Sequence, residues 1–193
     1  MGARTNFALR ALYDALDQQR RSRDLSWAAA TREISHFVTD GHPIASSTIT
    51  GLKTKAVAEG DGVLQMLVWL NRTPESFVPG FPDADAQRFH LPTLTEHQLL
   101  RWDVRALHAA LNRERQARGM TWATVAREIG GVAPATLTYL AKGSRIGFPS
   151  PVMRLVAWLG QPAARYTRVL TRHRLRNGAL VEVDGTIRSS VVN

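Results

Sequence analysis

SWAAATREI, Ser26–Ile34, returns 95 positions later in the same chain as TWATVAREI, Thr121–Ile129. Outward from this phrase the likeness extends back to Arg10 and Arg105, with identities at Arg10/Arg105, Leu12/Leu107, Leu16/Leu111, Arg20/Arg115, Arg23/Arg118, Trp27/Trp122, Arg32/Arg127 and Glu33/Glu128. Beyond it the offset falls to 88, pairing Thr48-Ile49-Thr50 with Thr136-Leu137-Thr138 and Leu52 with Leu140. At an offset of 89, Trp69-Leu70 pairs with Trp158-Leu159 and Phe77 with Tyr166. A unit of roughly 70 residues is therefore duplicated, and repeats of this kind define domains.

Each copy reads as four short helices. Leu9, Leu12, Tyr13 and Leu16 stand at helical spacing, which predicts an amphipathic first helix. Ser26 and Thr121 precede the second helices as N-caps, since a hydroxyl there can accept an otherwise unpaired backbone N–H. Third helices are expected near Ser46–Lys55 and Pro134–Lys142, and fourth helices near Asp61–Asn71 and Pro149–Gly160. Pro134 suits a first turn and Gly143 a C-terminal stop. The second helix of the first copy is expected to continue into Phe37 and Val38 before Asp40-Gly41 breaks it.

Pro79, Pro82 and Pro92 mark the stretch between the copies as a linker. Thr93-x-x-Glu96 offers a capping box for the helix that follows it. Fully extended, this linker would reach about 55 Å. The expected domains are 1–78 for the first unit, 79–95 for the linker, 96–170 for the second unit and 171–193 for a tail. In the tail, Arg165, Arg168, Arg172, Arg174 and Arg176 suggest a basic helical extension. After them Asp184-Gly185 lies between two β-prone runs and signals a hairpin. A lone hairpin is marginal, so it must pack on the domain, stay mobile, or pair with another chain to give a homodimer.

The chain carries 25 Lys and Arg against 16 Asp and Glu, a net charge of +9. That surplus favours a polyanionic partner, either nucleic acid or an anionic membrane surface. Cysteine is absent, which excludes disulfides, thiolate metal sites and a cysteine nucleophile. The six histidines are scattered without metal spacing. Catalysis, a metal, a cofactor and a small-molecule ligand all lack a motif. The longest apolar run, Val63–Leu70, is too short to span a bilayer. With no apolar signal region at the start, the expected location is cytoplasmic, nucleoid-associated when bound to DNA.

Thr121–Gly143, TWATVAREIGGVAPATLTYLAKG, resembles the helix-turn-helix core of Cro/Xre-type DNA-binding domains, the class of lambda repressor. Val125-Ala126, Gly130, Val132, Leu137, Leu140 and Gly143 occupy the places of that pattern, with Gly131 as one extra turn residue and Trp122 where many members carry Gln. The first copy agrees at Ala29-Ala30, Ile34, Ile49 and Leu52, with a turn seven residues longer. The resemblance implies an all-α fold of two such domains in tandem, followed by the short β-hairpin tail.

The resemblance also implies that the third helices enter the major groove of double-stranded DNA. With Ile49, Leu52, Leu137 and Leu140 inward, the base-reading residues would be Ser46, Ser47, Thr50 and Gly51 in one unit, and Pro134, Ala135, Thr138 and Tyr139 in the other. Phosphate contacts would come from Ser26, Trp27, Arg32, Lys53 and Lys55, and from Thr121, Trp122, Arg127, Lys142 and Arg145. For both tryptophans the sequence favours packing on the first helix as a brace over a contact with the sugar–phosphate backbone. The implied function is a sequence-specific transcriptional regulator, a repressor by family habit, on an asymmetric or imperfectly repeated operator. A protein-interaction module of antitoxin type and a non-specific DNA-coating protein stand beside it as alternatives.

Overall fold

The computed structural model describes residues 6–36, 44–55, 58–81, 90–95, 98–143, 149–174 and 180–184. The protein is predominantly helical with one small antiparallel sheet. The first unit contains α1 (Leu9–Ser22), α2 (Trp27–His36), α3 (Ser46–Thr50) and α4 (Gly60–Leu70), closed by a 3₁₀ turn at Pro74–Phe77. Strand β1 (Gln98–Trp102) follows. The second unit contains α5 (Val104–Ala117), α6 (Trp122–Ile129), α7 (Pro134–Leu140) and α8 (Pro149–Leu159), with a 3₁₀ turn at Ala163–Tyr166. Strands β2 (Thr167–Arg174) and β3 (Leu180–Asp184) complete the described chain. Every helix start of the second unit lies at the offset of the sequence repeat, so the duplication holds element by element.

Local signals account for the helices. Leu9, Leu12, Tyr13 and Leu16 form the buried stripe of α1, as Leu107 and Leu111 do in α5. Ser26 Oγ accepts from Ala29 N at 3.1 Å and Thr121 Oγ1 from Thr124 N at 3.2 Å, so both N-caps form as the sequence predicts. Ile49, Leu52, Leu137 and Leu140 are buried. The third helix of the first copy is shorter than expected: α3 ends at Thr50 and tightens into a 3₁₀ turn over Gly51–Lys53. α2 ends at His36, and the anticipated continuation through Phe37 and Val38 lies outside the described residues.

Two expectations for the chain beyond the first unit are corrected. The helix after the linker does not start from Thr93: α5 begins at Val104, with Asp103 Oδ1 accepting from Ala106 N at 2.9 Å. Gln98–Trp102 is a strand instead, and the stretch around Arg168, Arg172 and Arg174 is strand β2 rather than a basic helix. β1 and β2 pair antiparallel with Leu100 opposite Val169. β3 pairs back onto β2, Leu170 opposite Asp184 and Arg174 opposite Leu180, a hairpin that the sequence did not announce. The expected hairpin turn at Asp184-Gly185 and the run after it fall on Gly185–Asn193, outside the described residues, as do Arg176 and the rest of the connection between β2 and β3. The sheet, in order β1-β2-β3, makes the fold mostly rather than wholly α.

Packing, not a free tether, joins the two units. Their buried residues form one continuous cluster, and Leu91 and Leu94 of the linker pack against it. Leu99, Leu100, Arg101 and Trp102 of β1 are all buried. β1 lies against α4: Gln65 Nε2 donates to Leu100 O at 2.8 Å, and Arg101 Nε stands 3.5 Å from Asp61 Oδ2.

The contacts between units are reciprocal. Phe7 N donates to Ser150 Oγ at 3.2 Å. The residue 95 positions after Phe7 is Trp102, and the residue 89 positions before Ser150 is Asp61. Trp102 N donates to Asp61 Oδ1 at 3.4 Å. Within the units the same matching recurs, Ala8 N to Phe77 O and Asp103 N to Tyr166 O, both at 2.7 Å. The two 3₁₀ turns, themselves counterparts, meet where Glu75 Oε1 accepts from Ala163 N at 2.5 Å. Patch i meeting patch j, and j meeting i, is the mark of a two-fold interface. Here it forms inside one chain.

Candidate nucleic-acid interface

The repeated phrase builds a brace. Arg20 donates to Asp17 Oδ1 at 2.7 Å and to Leu25 O at 2.8 Å, and its guanidinium lies 4.8 Å from the Trp27 ring centre. Arg115 does the same with Asn112 and Met120 O, at 2.8 and 2.9 Å, and lies 5.0 Å from the Trp122 ring centre. Beneath them Trp27 rests 5.5 Å from the Tyr13 ring and Trp122 5.4 Å from that of His108. Both tryptophans are half-buried on the first helix of their unit, the bracing arrangement that the sequence allowed.

Glu33 and Glu128 lock the other side. Trp69 Nε1 donates to Glu33 at 2.8 Å and Trp158 Nε1 to Glu128 at 3.0 Å. Arg23 pairs with Glu33 at 2.7 Å, and Arg118 with Glu114 at 2.6 Å. The hydrogen bond from Trp69, then those from Arg23, hold the Glu33 carboxyl below its ordinary range. Arg20 does the same to Asp17. Burial, with the charge of Arg115, lowers the pKa of His108. Arginines 20, 23, 115 and 118 are thus engaged within the protein.

On α7 the inward pair Leu137 and Leu140 leaves Pro134, Ala135, Thr138 and Tyr139 exposed as predicted. Tyr139 is 57% exposed, and Lys142 Nζ lies 5.1 Å from its ring centre. The Thr138 hydroxyl donates to Pro134 O at 3.1 Å, leaving its oxygen as an acceptor. On α3 the picture is more divided. Ser47 is exposed, whereas Ser46, Thr50 and Gly51 are half-buried. The Ser46 hydroxyl lies 3.0 Å from that of Thr31, which itself bonds to Trp27 O. With Ser35 Oγ accepting from Ile44 N at 3.0 Å, these bonds pin the entry to α3 onto α2.

Thr48 and Thr136, identical in the repeat, are exposed on the third helices and were missed by the sequence reading. The signal was available: each precedes a buried residue by one position, about 100° around the helix.

Cations border these faces. Lys53, Lys55 and Lys142 are exposed; Lys53 Nζ lies 4.6 Å from the Tyr13 ring centre, and the Lys55 side chain runs along Gly51. Arg32 and Arg127 are exposed on the second helices. Arg105, also unassigned from sequence, lies against Gly143 at the end of α7. Arg145 lies outside the described residues. At Ser26 and Thr121 the cap oxygens use one backbone N–H each, and the first-turn amides before those remain the groups an anion can approach.

Gly131, the extra turn residue between α6 and α7, also has a structural cause. Its φ is +68°, and the guanidinium of Arg154 occupies the place of a side chain. Arg154 donates to Gly130 O at 3.1 Å and, across the inter-unit contact, to Asn6 Oδ1 at 2.5 Å.

A cleft of about 590 Å³ elsewhere is lined by Glu33, Trp69, Asn71, Leu91 and Leu94, and includes no third-helix residue. Among the described residues no group of His, Asp and Glu could hold a metal ion. Nor is any described helix long and apolar enough to cross a membrane. Comparison with known proteins finds no matching family model, no matching curated protein and no matching solved structure.

Proposed function

We propose that the chain is a sequence-specific double-stranded DNA-binding regulator, acting as a repressor, with α3 and α7 as two non-identical recognition helices of tandem helix-turn-helix units. The observation that carries this reading is the pair of exposed, hydroxyl-bearing third-helix faces bordered by Lys53, Lys55 and Lys142. Their inward sides are anchored by Ile49, Leu52, Leu137 and Leu140. Threonine hydroxyls and methyls suit base edges and thymine methyls in the major groove. The lysines, with exposed Arg32, Arg105 and Arg127, suit phosphates, which position a protein on the duplex without specifying sequence. The surplus of +9 supports a polyanionic partner over a neutral protein surface. Catalysis forms no part of the reading.

An electrophoretic shift with random-sequence duplex, followed by selection from that pool, tests it. Binding should weaken steeply with salt through counterion release, and selection should converge on a defined site. Absence of a shift at low salt would leave a protein-interaction module. A shift without convergence would leave a non-specific coating protein.

A further inference from the structure

We infer that one copy of this chain is an internal dimer whose operator is an imperfect inverted repeat with a single fixed spacing between unlike halves. The inference rests on the DNA-binding reading above and adds the direction and spacing of the halves and the number of chains. A tandem sequence repeat by itself suggests two domains on a flexible connector, able to occupy directly repeated half-sites at variable separation. The contacts between units argue against that arrangement.

Phe7 N to Ser150 Oγ and Trp102 N to Asp61 Oδ1 are one contact made twice, with the units exchanged. The counterpart 3₁₀ turns meet each other through Glu75 and Ala163. A direct repetition would place patch i of one unit on patch j of the next and leave the reciprocal pair unmade. Two-fold exchange instead reverses the second unit, so α3 and α7 face a duplex in opposite senses. In helix-turn-helix dimers, operator palindromy mirrors the protein two-fold. The same logic applies when both halves belong to one chain.

Two further features set the form of the site. The spacing is fixed because the joint is buried: β1 is covered along its length, and Gln65, wholly buried, holds Leu100 O. The halves are unlike because the faces are unlike. One presents Ser47 and Thr48, the other Ala135, Thr136, Thr138 and Tyr139.

The test uses the full chain and the duplex recovered by selection from a random pool. The recovered site should contain two unlike halves in inverted orientation, bound by one chain per duplex in analytical ultracentrifugation. Reversing one half in place should weaken binding at least about tenfold, because all of its base readout fails together. Inserting five base pairs between the halves should do the same, because half a turn moves one half to the opposite face. An Asp61→Ala/Ser150→Ala variant, which removes both reciprocal acceptors, should soften that spacing penalty.

Directly repeated halves, equal binding across spacings, or two chains on one site would each overturn the inference while leaving DNA recognition standing. Failure to bind any duplex at low salt would instead overturn the DNA reading, and the inference with it.

Discussion

Replacing Gly131 by alanine tests whether Arg154 ties the α6–α7 turn to the opposite unit. A Cβ at Gly131 would sit 1.6 Å from Arg154 Nη1 and 2.8 Å from its Cζ, so the guanidinium must leave. Alanine at a φ of +68° costs about 1–2 kcal/mol in backbone conformation. Displacing Arg154 breaks its bonds to Gly130 O and Asn6 Oδ1. Because Asn6 is exposed, those two bonds together contribute about 1–2 kcal/mol, less than buried charged hydrogen bonds would. Gly131→Ala should therefore destabilise by about 2–4 kcal/mol. Arg154→Ala alone should cost about 1–2 kcal/mol.

In the double variant the clash has no partner, so the removal of Arg154 is counted only once. Its cost should fall short of the sum of the singles by about 1–2 kcal/mol. Urea unfolding followed by tryptophan fluorescence measures all four corners of the cycle. Additivity within about 0.5 kcal/mol would refute the coupling.

His108 gives a pH test. Folding lowers its pKa from 6.5, so the stabilisation it carries is full above that value and is lost as pH falls through the lower folded value. His108→Tyr, which copies Tyr13 of the first unit, should flatten the stability profile as pH falls below 6.5 in urea titrations. Asp17 and Glu33 are also held below their ordinary values of 3.8 and 4.5; their contribution is present above those values and lost on further acidification. Changing both to Asn and Gln should reduce the steepness of acid unfolding followed by circular dichroism. Removing charge at Lys53, Lys55 and Lys142 should make the plot of log affinity against log salt shallower by about 0.9 for each phosphate left without its cation. An altered sequence preference in that variant would contradict a phosphate role. Replacing Thr138 and Tyr139 should change base preference in one half of the selected site alone.

Much of the helical architecture was legible because helices announce themselves locally. Leu12 and Leu16, or Leu137 and Leu140, lie one turn apart and define a buried stripe without reference to the rest of the chain. Ser26 and Thr121 cap residues only three positions ahead. The strands were less visible. β1 is buried along Leu99–Trp102 and shows no alternation between water and core. Its partner β2 lies about seventy residues away, and a run such as Thr167–Arg174 reads as basic surface until that partner is known. For the site, exposure of the α7 face followed from spacing, whereas Ser46 proved to be tied to Thr31 by a contact that no local pattern encodes.

Residue order alone was enough to establish a duplicated helical unit, the residues that face each core, and a strongly positive balance of charge. Periodicity, capping and composition are properties of neighbouring residues, so they survive without coordinates. Only the tertiary structure makes SWAAATREI and TWATVAREI braces held by Arg20, Arg115, Trp69 and Trp158. It alone also decides that the two units meet by exchange across a buried joint. An arginine's partner and a repeat's symmetry depend on groups distant in the chain, and folding alone brings those groups together.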